Sequence, residues 1–366
     1  MNLKKLAFYF GLILITVVAA IKPNYNWDCL PYMAIVLNKT EKLSNQELHN
    51  KVYEQARLHI PEKQYTMLVA ETPYRTAMLN NAVAFNQQLP FYSIKPLYIG
   101  LCWLSYKAGF NLAFSTVLPS LLAFFGIGLL LFYWLKKMLN EKQSILITYC
   151  ILLAMPFTGI GRESSPDALS CFFILLACYW FYCKKCWQWV APVLVLAVLA
   201  RPDNIILVGL FANILFIKKY WSITDTLLVF GAGLLAYIIP TWLIVSYPWQ
   251  TLFNHSFIKH LSFPADAVIN LTWQDYVFAI ARNAFREFNI SLIPLLLIFT
   301  IPAWNNRKKL TANLSILWLT IGATILLRYL LFPVFTGRFM APYYLIAILL
   351  IINQFKSLYR APHEIN

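Results

Sequence analysis

The chain has 366 residues, of which 60% are hydrophobic and only 12% charged, and its formal net charge is +15. Soluble domains carry about 25% charged residues, so a soluble globular protein is excluded. The positive charge does not indicate a nucleic-acid partner, because the basic residues form short clusters between apolar runs. Several runs approach the roughly 20 apolar residues that cross a bilayer, which predicts an all-α polytopic membrane protein.

The basic clusters predict which side of the membrane each loop occupies. They are Lys4-Lys5, Lys136-Lys137, Lys184-Lys185, Lys218-Lys219, Arg307-Lys308-Lys309 and the pair Lys356 and Arg360. Short basic loops are typical of the cytoplasmic side. The first apolar run has no small-residue cleavage site and is interpreted as a retained signal anchor. We therefore expect a multi-pass protein of the cytoplasmic (inner) membrane, with both termini in the cytoplasm.

About ten spans follow from this assignment, within one integral membrane domain over 1–366. The predicted spans are 6–22, 112–135, 143–160, 167–183, 187–200, 205–217, 223–246, 290–304, 310–333 and 339–355. The fifth and sixth are short and could form one broken hairpin. No separate soluble domain is predicted.

Two outside loops are predicted, a first over 23–111 and a second over 247–289. In the first loop, Leu48, Val52, Ala56 and Ile60 recur at helical spacing, which indicates an amphipathic helix at the membrane surface. A second surface element is expected over 94–110, where Lys107 argues against a full crossing.

Polar side chains collect at the outer ends of the predicted spans. The candidate site residues are Asp28, Lys95, Arg162, Glu163, Asp167, Arg201, Arg338 and Tyr343. Charge at such a depth persists when it is paired, lines a wet cavity or binds a charged ligand. The pattern therefore predicts a site at the outer membrane surface.

Structural interpretations of the same residues remain open. Asp28 could cap a helix, and Asp167 follows Pro166 as at an ordinary helix start. Arg201 and Asp203 could form a local salt bridge. Tyr343 could belong to an interfacial aromatic belt, and Arg328, inside an apolar run, could snorkel to the outer surface.

Five polar motifs occur in an order that resembles a known family, the polytopic GT-C glycosyltransferases. They are Trp27-Asp28, Lys95-Pro96-Leu97-Tyr98, Glu163-Ser164-Ser165-Pro166-Asp167-Ala168-Leu169, Ala200-Arg201-Pro202-Asp203-Asn204 and Gly337-Arg338-Phe339-Met340-Ala341-Pro342-Tyr343-Tyr344. The bacterial members akin to protein O-mannosyltransferases and lipid A aminoarabinose transferases are the most similar in this respect. The resemblance covers nearly the whole chain.

The resemblance implies sugar transfer from a polyprenyl-phosphate-linked donor to a hydroxyl of a glycan, lipid or protein outside the cytoplasmic membrane. It implies that Asp28, the acid of the first outside loop, is the catalytic base. The chain departs from the family at three points. No second acid follows Asp28 closely, Lys95 stands where many relatives have Arg, and a soluble C-terminal domain is missing.

Elementary chemistry agrees with that assignment. A base must take the proton of the attacking hydroxyl, whereas a polyprenyl phosphate leaves without an acid, so one carboxylate suffices for an inverting transfer. Cations must hold the phosphate as its charge grows, and Lys95, Arg201 and Arg338 are the candidates, followed by Arg162. A divalent metal is compatible with this chemistry, but no spacing in the chain indicates one.

Two other functions are compatible with the sequence. An O-antigen polymerase or ligase would use a diphosphate-linked donor and a late outside loop rich in Arg and His, a pattern that 247–289 fits in part. A transporter or flippase of lipids or solutes would distribute polar residues through the midplane and over both sides.

Overall fold

A computed structural model describes residues 3–184, 187–244, 246–287, 312–334 and 336–360 of the chain. Over these ranges the protein is all-helical, and its only strand-like pairing is one isolated bridge between Asn24 and Glu163. The α-helices are α1 (Leu3–Ile21), α2 (Cys29–Glu41), α3 (Asn45–His59), α4 (Glu62–Ala70), α5 (Pro73–Asn80), α6 (Ala82–Asn86), α7 (Leu89–Ser93), α8 (Pro96–Lys107), α9 (Leu112–Leu135), α10 (Glu141–Leu153), α11 (Phe157–Arg162), α12 (Asp167–Tyr179), α13 (Trp187–Ala200), α14 (Ile205–Ile217), α15 (Ile223–Leu243), α16 (Trp249–Phe253), α17 (Trp273–Glu287), α18 (Ala312–Leu331) and α19 (Gly337–Arg360).

Three helices, α1, α9 and α15, are long and apolar enough to cross a membrane by length and composition. Shorter apolar helices occur over Asp167–Cys183, Gln188–Ala200, Pro202–Ile217, Ser315–Leu331 and Gly337–Asn353. The structure therefore supports membrane insertion through three clear candidate spans. The span predicted over 290–304 and its basic cluster at 307–309 lie outside the described residues.

Helix α9 is the centre around which the other helices pack. It contacts α1, α2, α8, α10, α11 and α12, and most of its residues are buried. By contrast, α1 and α15 bury only a small part of their surfaces and expose mainly apolar side chains. Because lipid tails are as apolar as leucine, such surfaces are suited to contact with a bilayer.

The first predicted outside loop folds into the helices α2 to α8. Helix α3 begins with a capping box between Ser44 and Glu47, and it buries Leu48, Val52 and Ala56, the spacing that predicted it. Helix α8 has 12 residues, or about 18 Å of length at 1.5 Å per residue. This is shorter than the roughly 30 Å hydrocarbon core, as expected for a surface element.

The helix predicted over 143–160 is broken in two. Helix α10 ends at Leu153, Ala154 has an extended backbone, and α11 begins at Phe157. Pro156 lacks the backbone N–H that a continuing helix would use, which accounts for the break. The turn redirects the chain so that Glu163, directly after α11, pairs through its backbone with Asn24.

Candidate functional site: a cluster of buried charges

Asp28 stands at the N-terminus of α2 but does not cap it. Its side chain makes no hydrogen bond to the helix backbone. The Oδ2 atom instead accepts a hydrogen bond from Nη1 of Arg338 over 3.1 Å, and the side chain is only 19% exposed. Residue 28 is therefore joined to a residue 310 positions later, and the capping interpretation does not describe its side chain.

Arg338 lies in the first turn of α19 and is shared by three carboxylates. Besides Asp28, its Nη1 lies 3.9 Å from Oε2 of Glu163, and its Nε lies 3.6 Å from Oδ2 of Asp167. The three acids come from three different parts of the fold, at the starts of α2 and α12 and just after α11. A cation at a helix N-terminus is unfavourable for the helix dipole, and the three acids offset that cost.

A second arginine group continues the cluster around Asp203. Arg201 donates from Nε and Nη2 to the two carboxylate oxygens of Asp203, each over 3.1 Å, and it also pairs with Asp167. Asp203 accepts a further contact from Arg328 Nη2 at 2.6 Å. The local Arg201–Asp203 bridge expected from the sequence is thus present, but it belongs to a larger network.

One aromatic ring lies among the three arginines. The guanidinium carbons of Arg201, Arg338 and Arg328 stand 4.4, 4.9 and 5.2 Å from the ring centre of Phe339. Arg328 also donates to the Phe339 carbonyl over 2.8 Å. The face of an aromatic ring attracts cations, so Phe339 lowers the cost of holding three of them close together.

Lys95 lies beside this network and is bound differently. Its Nζ donates to the hydroxyl of Tyr32 over 2.7 Å and lies 5.2 Å from the ring centres of both Tyr32 and Tyr92. Within the described part of the chain, its ammonium makes no ion pair with a carboxylate. Burial, with a smaller contribution from the nearby Arg201 and Arg338, lowers the pKa of Lys95 to about 8, although Asp28 opposes the shift.

Within the described part of the chain, Glu163 has one carboxylate oxygen that makes no hydrogen bond, although it lies within ion-pair distance of Arg338. Its Oε1 accepts a hydrogen bond from Asn24 Nδ2 over 3.3 Å, whereas its buried Oε2 has no hydrogen-bond partner among the described residues. Burial raises the pKa of Glu163, and the proximity of Arg338 partly opposes that effect.

The remaining two candidates differ in their relation to the cluster. Arg162 donates from Nε to the backbone carbonyl of Lys22 over 2.7 Å, which ties it to the end of α1. Tyr343 is buried and lines the same small cavity as Asp167, Arg201 and Arg338, so it is not part of an exposed aromatic belt. The structure thus brings together Asp28, Lys95, Glu163, Asp167, Arg201, Arg338 and Tyr343, while Arg162 contacts the neighbouring backbone.

Arg328 and Phe339 are the members that the sequence did not assign to the site. The sequence allows Arg328 to snorkel outward, but its side chain is buried against Asp203. A charged residue inside an apolar helix is itself a signal of a functional or paired position. No comparable signal distinguishes Phe339 from the other 26 phenylalanines of the chain.

The cluster is closed and balanced in formal charge. Among the described residues it joins four carboxylates (Asp28, Glu163, Asp167 and Asp203) with four cations (Lys95, Arg201, Arg328 and Arg338). The cavity between α12, the segment 201–204, α18 and α19 is only about 10 Å³, which is room for about one water molecule. A larger ligand requires some of these ion pairs to separate.

The second predicted outside loop packs onto the first next to Asp28. The ring of Tyr74 lies 5.5 Å from those of both His255 and His260, and Tyr74 also stacks edge-on with Trp27. Burial, together with the neighbouring His260, lowers the pKa of His255 to about 4. The two histidines therefore help to join the loops, and the described residues contain no group of three or more metal-ligating side chains.

Comparison with known proteins gives no relative from which a role could be transferred. No family model, no curated protein and no solved structure matches the chain.

Proposed function

We propose that this protein is a membrane glycosyltransferase that moves a sugar from a polyprenyl-phosphate donor to an acceptor hydroxyl. The observation that carries the proposal is the placement of Lys95, a cation without a carboxylate partner among the described residues, next to Asp28 and the arginine network. A half-buried ammonium bound only to tyrosines has N–H groups available for an anion. A phosphate placed there would bring the sugar that it carries close to a carboxylate.

The proposed reaction is a single displacement with inversion. The acceptor oxygen bonds to the anomeric carbon while the bond between that carbon and the phosphate oxygen breaks. The phosphate leaves with the electron pair, and Asp28 takes the proton of the acceptor hydroxyl. Lys95, with Arg201 and Arg338, balances the charge that grows on the leaving phosphate.

Ion-pair exchange provides a physical link between donor binding and the base. Arg338 holds Asp28 in the closed cluster, and an arriving phosphate competes for the same guanidinium. Transfer of Arg338 from carboxylate to phosphate would leave Asp28 free to accept a proton. Glu163, which shares Arg338 with Asp28 and has an oxygen without a hydrogen bond among the described residues, is the second acid that would orient the acceptor.

The proposal includes a topology with the cluster on the outer face of the cytoplasmic membrane and both termini inside. Its partners are then membrane lipid, the lipid-phosphate sugar and a glycan, lipid or protein acceptor, with no nucleic acid.

Asn50, an exposed residue of α3, tests the topology. In Asn50→Cys, the thiol should react with an impermeant reagent added to intact cells. Labelling only after lysis would place the first loop in the cytoplasm and overturn the topology.

Asp28→Asn tests the chemistry. We expect loss of transfer by about 10³-fold, within the range for removal of a general base. The fold should persist, because Arg338 retains Glu163 and Asp167 as partners. The assay uses purified protein in nanodiscs with polyprenyl-phosphate sugars, and Glu163→Gln is the matched variant that should retain more activity. Full activity in Asp28→Asn would refute the assignment.

The chemical identity and fate of the lipid donor distinguish this proposal from a polymerase or ligase and from a transporter. A polymerase or ligase would use a diphosphate-linked donor, and a transporter would move the lipid without forming a glycosidic bond. Mass spectrometry of envelope glycans and lipids, with and without the protein, identifies which sugar bond depends on it. If no bond depends on the protein while lipid movement does, a transporter is the better description.

A further inference from the structure

Helix α17 in the second loop has two very different faces. One face, formed by Tyr276, Ala279, Ile280 and Asn283, lies against the protein. The other carries an apolar stripe composed of Trp273, Val277, Phe278, Ala281 and Phe285. Of these, Trp273 is 74%, Phe278 63% and Phe285 80% exposed. Aromatic residues exposed to this degree along one helix face indicate a surface that contacts a protein or a membrane.

Hydrogen bonds fix the inner face at one end of α18. From α17, the hydroxyl of Tyr276 donates to the carbonyl of Leu330 over 2.5 Å. From α18, the hydroxyl of Tyr329 donates to the carbonyl of Ile280 over 2.7 Å. The stripe on the opposite face is therefore a stable part of the surface. Tyr329 and Leu330 directly follow Arg328 in α18, so α17 is anchored beside the part of that helix that contributes Arg328 to the charge cluster.

The surroundings of the stripe identify the chemistry of its partner. Helix α18, to which α17 is bonded, also exposes Leu326, Leu327, Leu330 and Leu331, so it presents an apolar surface of its own. Arg282 and Arg286 lie along one edge of the stripe, and the guanidinium of Arg282 also bonds the Phe257 carbonyl and approaches the Phe278 ring. An apolar stripe with tryptophan and phenylalanine, edged by arginines, fits a surface with acyl chains on one side and phosphates on the other.

We propose that α17 lies in the plane of the bilayer, with its stripe in the boundary between acyl chains and headgroups and its arginines near lipid phosphates. Such a helix fixes the second loop at a set depth. It would thereby hold the charge cluster at the level where the phosphate of a membrane lipid is found. The placement of α17 does not depend on the reaction proposed above.

Photocrosslinking of the full chain in phospholipid nanodiscs tests this placement. A benzophenone side chain replaces Phe285 in one variant and Phe278 in another, both so exposed that little packing is lost. A third variant carries it at Lys259, an exposed position of the same loop outside α17. After irradiation, mass spectrometry identifies the molecule to which each label is bound.

We expect phospholipid adducts at 278 and 285 and several-fold fewer at 259. Adducts to a second copy or to another protein at 278 and 285 would show that the stripe is a protein interface. A lack of any adduct at both positions would show that the stripe faces water. Equal lipid adducts at all three positions would show that the label itself partitions into lipid. Each of these three results would overturn the placement.

Discussion

Lys95 and Arg338 are both cations beside Asp28, yet the fold treats them in opposite ways. Arg338 is surrounded by Asp28, Glu163 and Asp167, whereas Lys95 contacts a tyrosine hydroxyl and two tyrosine rings. Tyrosines stabilise an ammonium without neutralising it. The comparison separates an arginine side of the cluster, where ion pairs join several helices, from a lysine side, whose charge is paired with no carboxylate among the described residues.

The chemistry of the two groups fits this division. A guanidinium has five N–H donors in one plane and can join several carboxylates at once. An ammonium is a compact charge whose pKa responds strongly to burial, as the value of about 8 for Lys95 illustrates. One side of the cluster should therefore respond to mutation mainly in stability and the other mainly in binding.

On the arginine side, we expect the largest loss of stability from substitution of Asp203, which pairs with both Arg201 and Arg328. Asp203→Asn should lower the stability of the fold by about 3–5 kcal/mol, because it leaves a buried guanidinium without its partner. The measurement is thermal unfolding of the purified protein in detergent.

Arg328→Met provides the control for Asp203→Asn. It should cost less, since Asp203 keeps its contact with Arg201. The double variant should be more stable than Asp203→Asn alone, because no unpaired charge remains at the Asp203–Arg328 contact. If all three variants unfold at the same temperature as the parent protein, the network does not hold the helices together.

Two substitutions at Lys95 test the lysine side, because methionine removes the positive charge and arginine keeps it to higher pH. Lys95→Met should reduce kcat/KM by about 10²-fold, comparable to loss of one donor to a charged transition state, with little change in stability. In the parent protein, kcat/KM should fall as pH rises through about 8, because the amine loses the proton that attracts phosphate. Lys95→Arg should shift that decline to higher pH. An unchanged alkaline profile in Lys95→Arg would remove Lys95 from phosphate binding.

The smallest of these effects concerns the helix that places Glu163. A Cβ added at Gly161 would lie 2.5 Å from Cγ of Phe124, so Gly161→Ala should cost about 1–3 kcal/mol of stability through overpacking. Gly159→Ala in the same helix is the matched control, since its nearest contact is 3.4 Å from the flexible end of Met155. Equal unfolding temperatures for the two variants would show that α11 can shift without cost.

The sequence predicts much of the helical framework because polar residues mark helix ends. The predicted spans 112–135 and 205–217 match α9 and α14, and α9 begins after Asn111, whose side chain caps it. The break in 143–160 was missed although Pro156 is a known signal, because the apolar run continues across it. Prolines at 119, 240 and 342 lie inside helices, so a proline in an apolar run does not by itself predict a helix break.

The candidate site is partly predictable for the same reason. Motifs at the predicted outer ends of successive spans point to one face, and most of the predicted residues do meet. Pairing between them depends on side-chain directions that a linear pattern does not contain. That is why Arg328 joins the cluster unexpectedly, Arg162 binds the Lys22 carbonyl, and Lys95 donates to a tyrosine hydroxyl rather than to an acid.

Because a chain is synthesised from its N-terminus, the charges of the cluster are balanced only late in synthesis. Its four described carboxylates and two of its cations lie before residue 204, whereas Arg328 and Arg338 come more than 120 residues later. A ribosome-bound chain therefore carries two uncompensated acids at this place until its last helices are synthesised. Chains truncated before Arg328 should be recognised as incomplete by membrane quality control and degraded, even if every earlier span has been inserted.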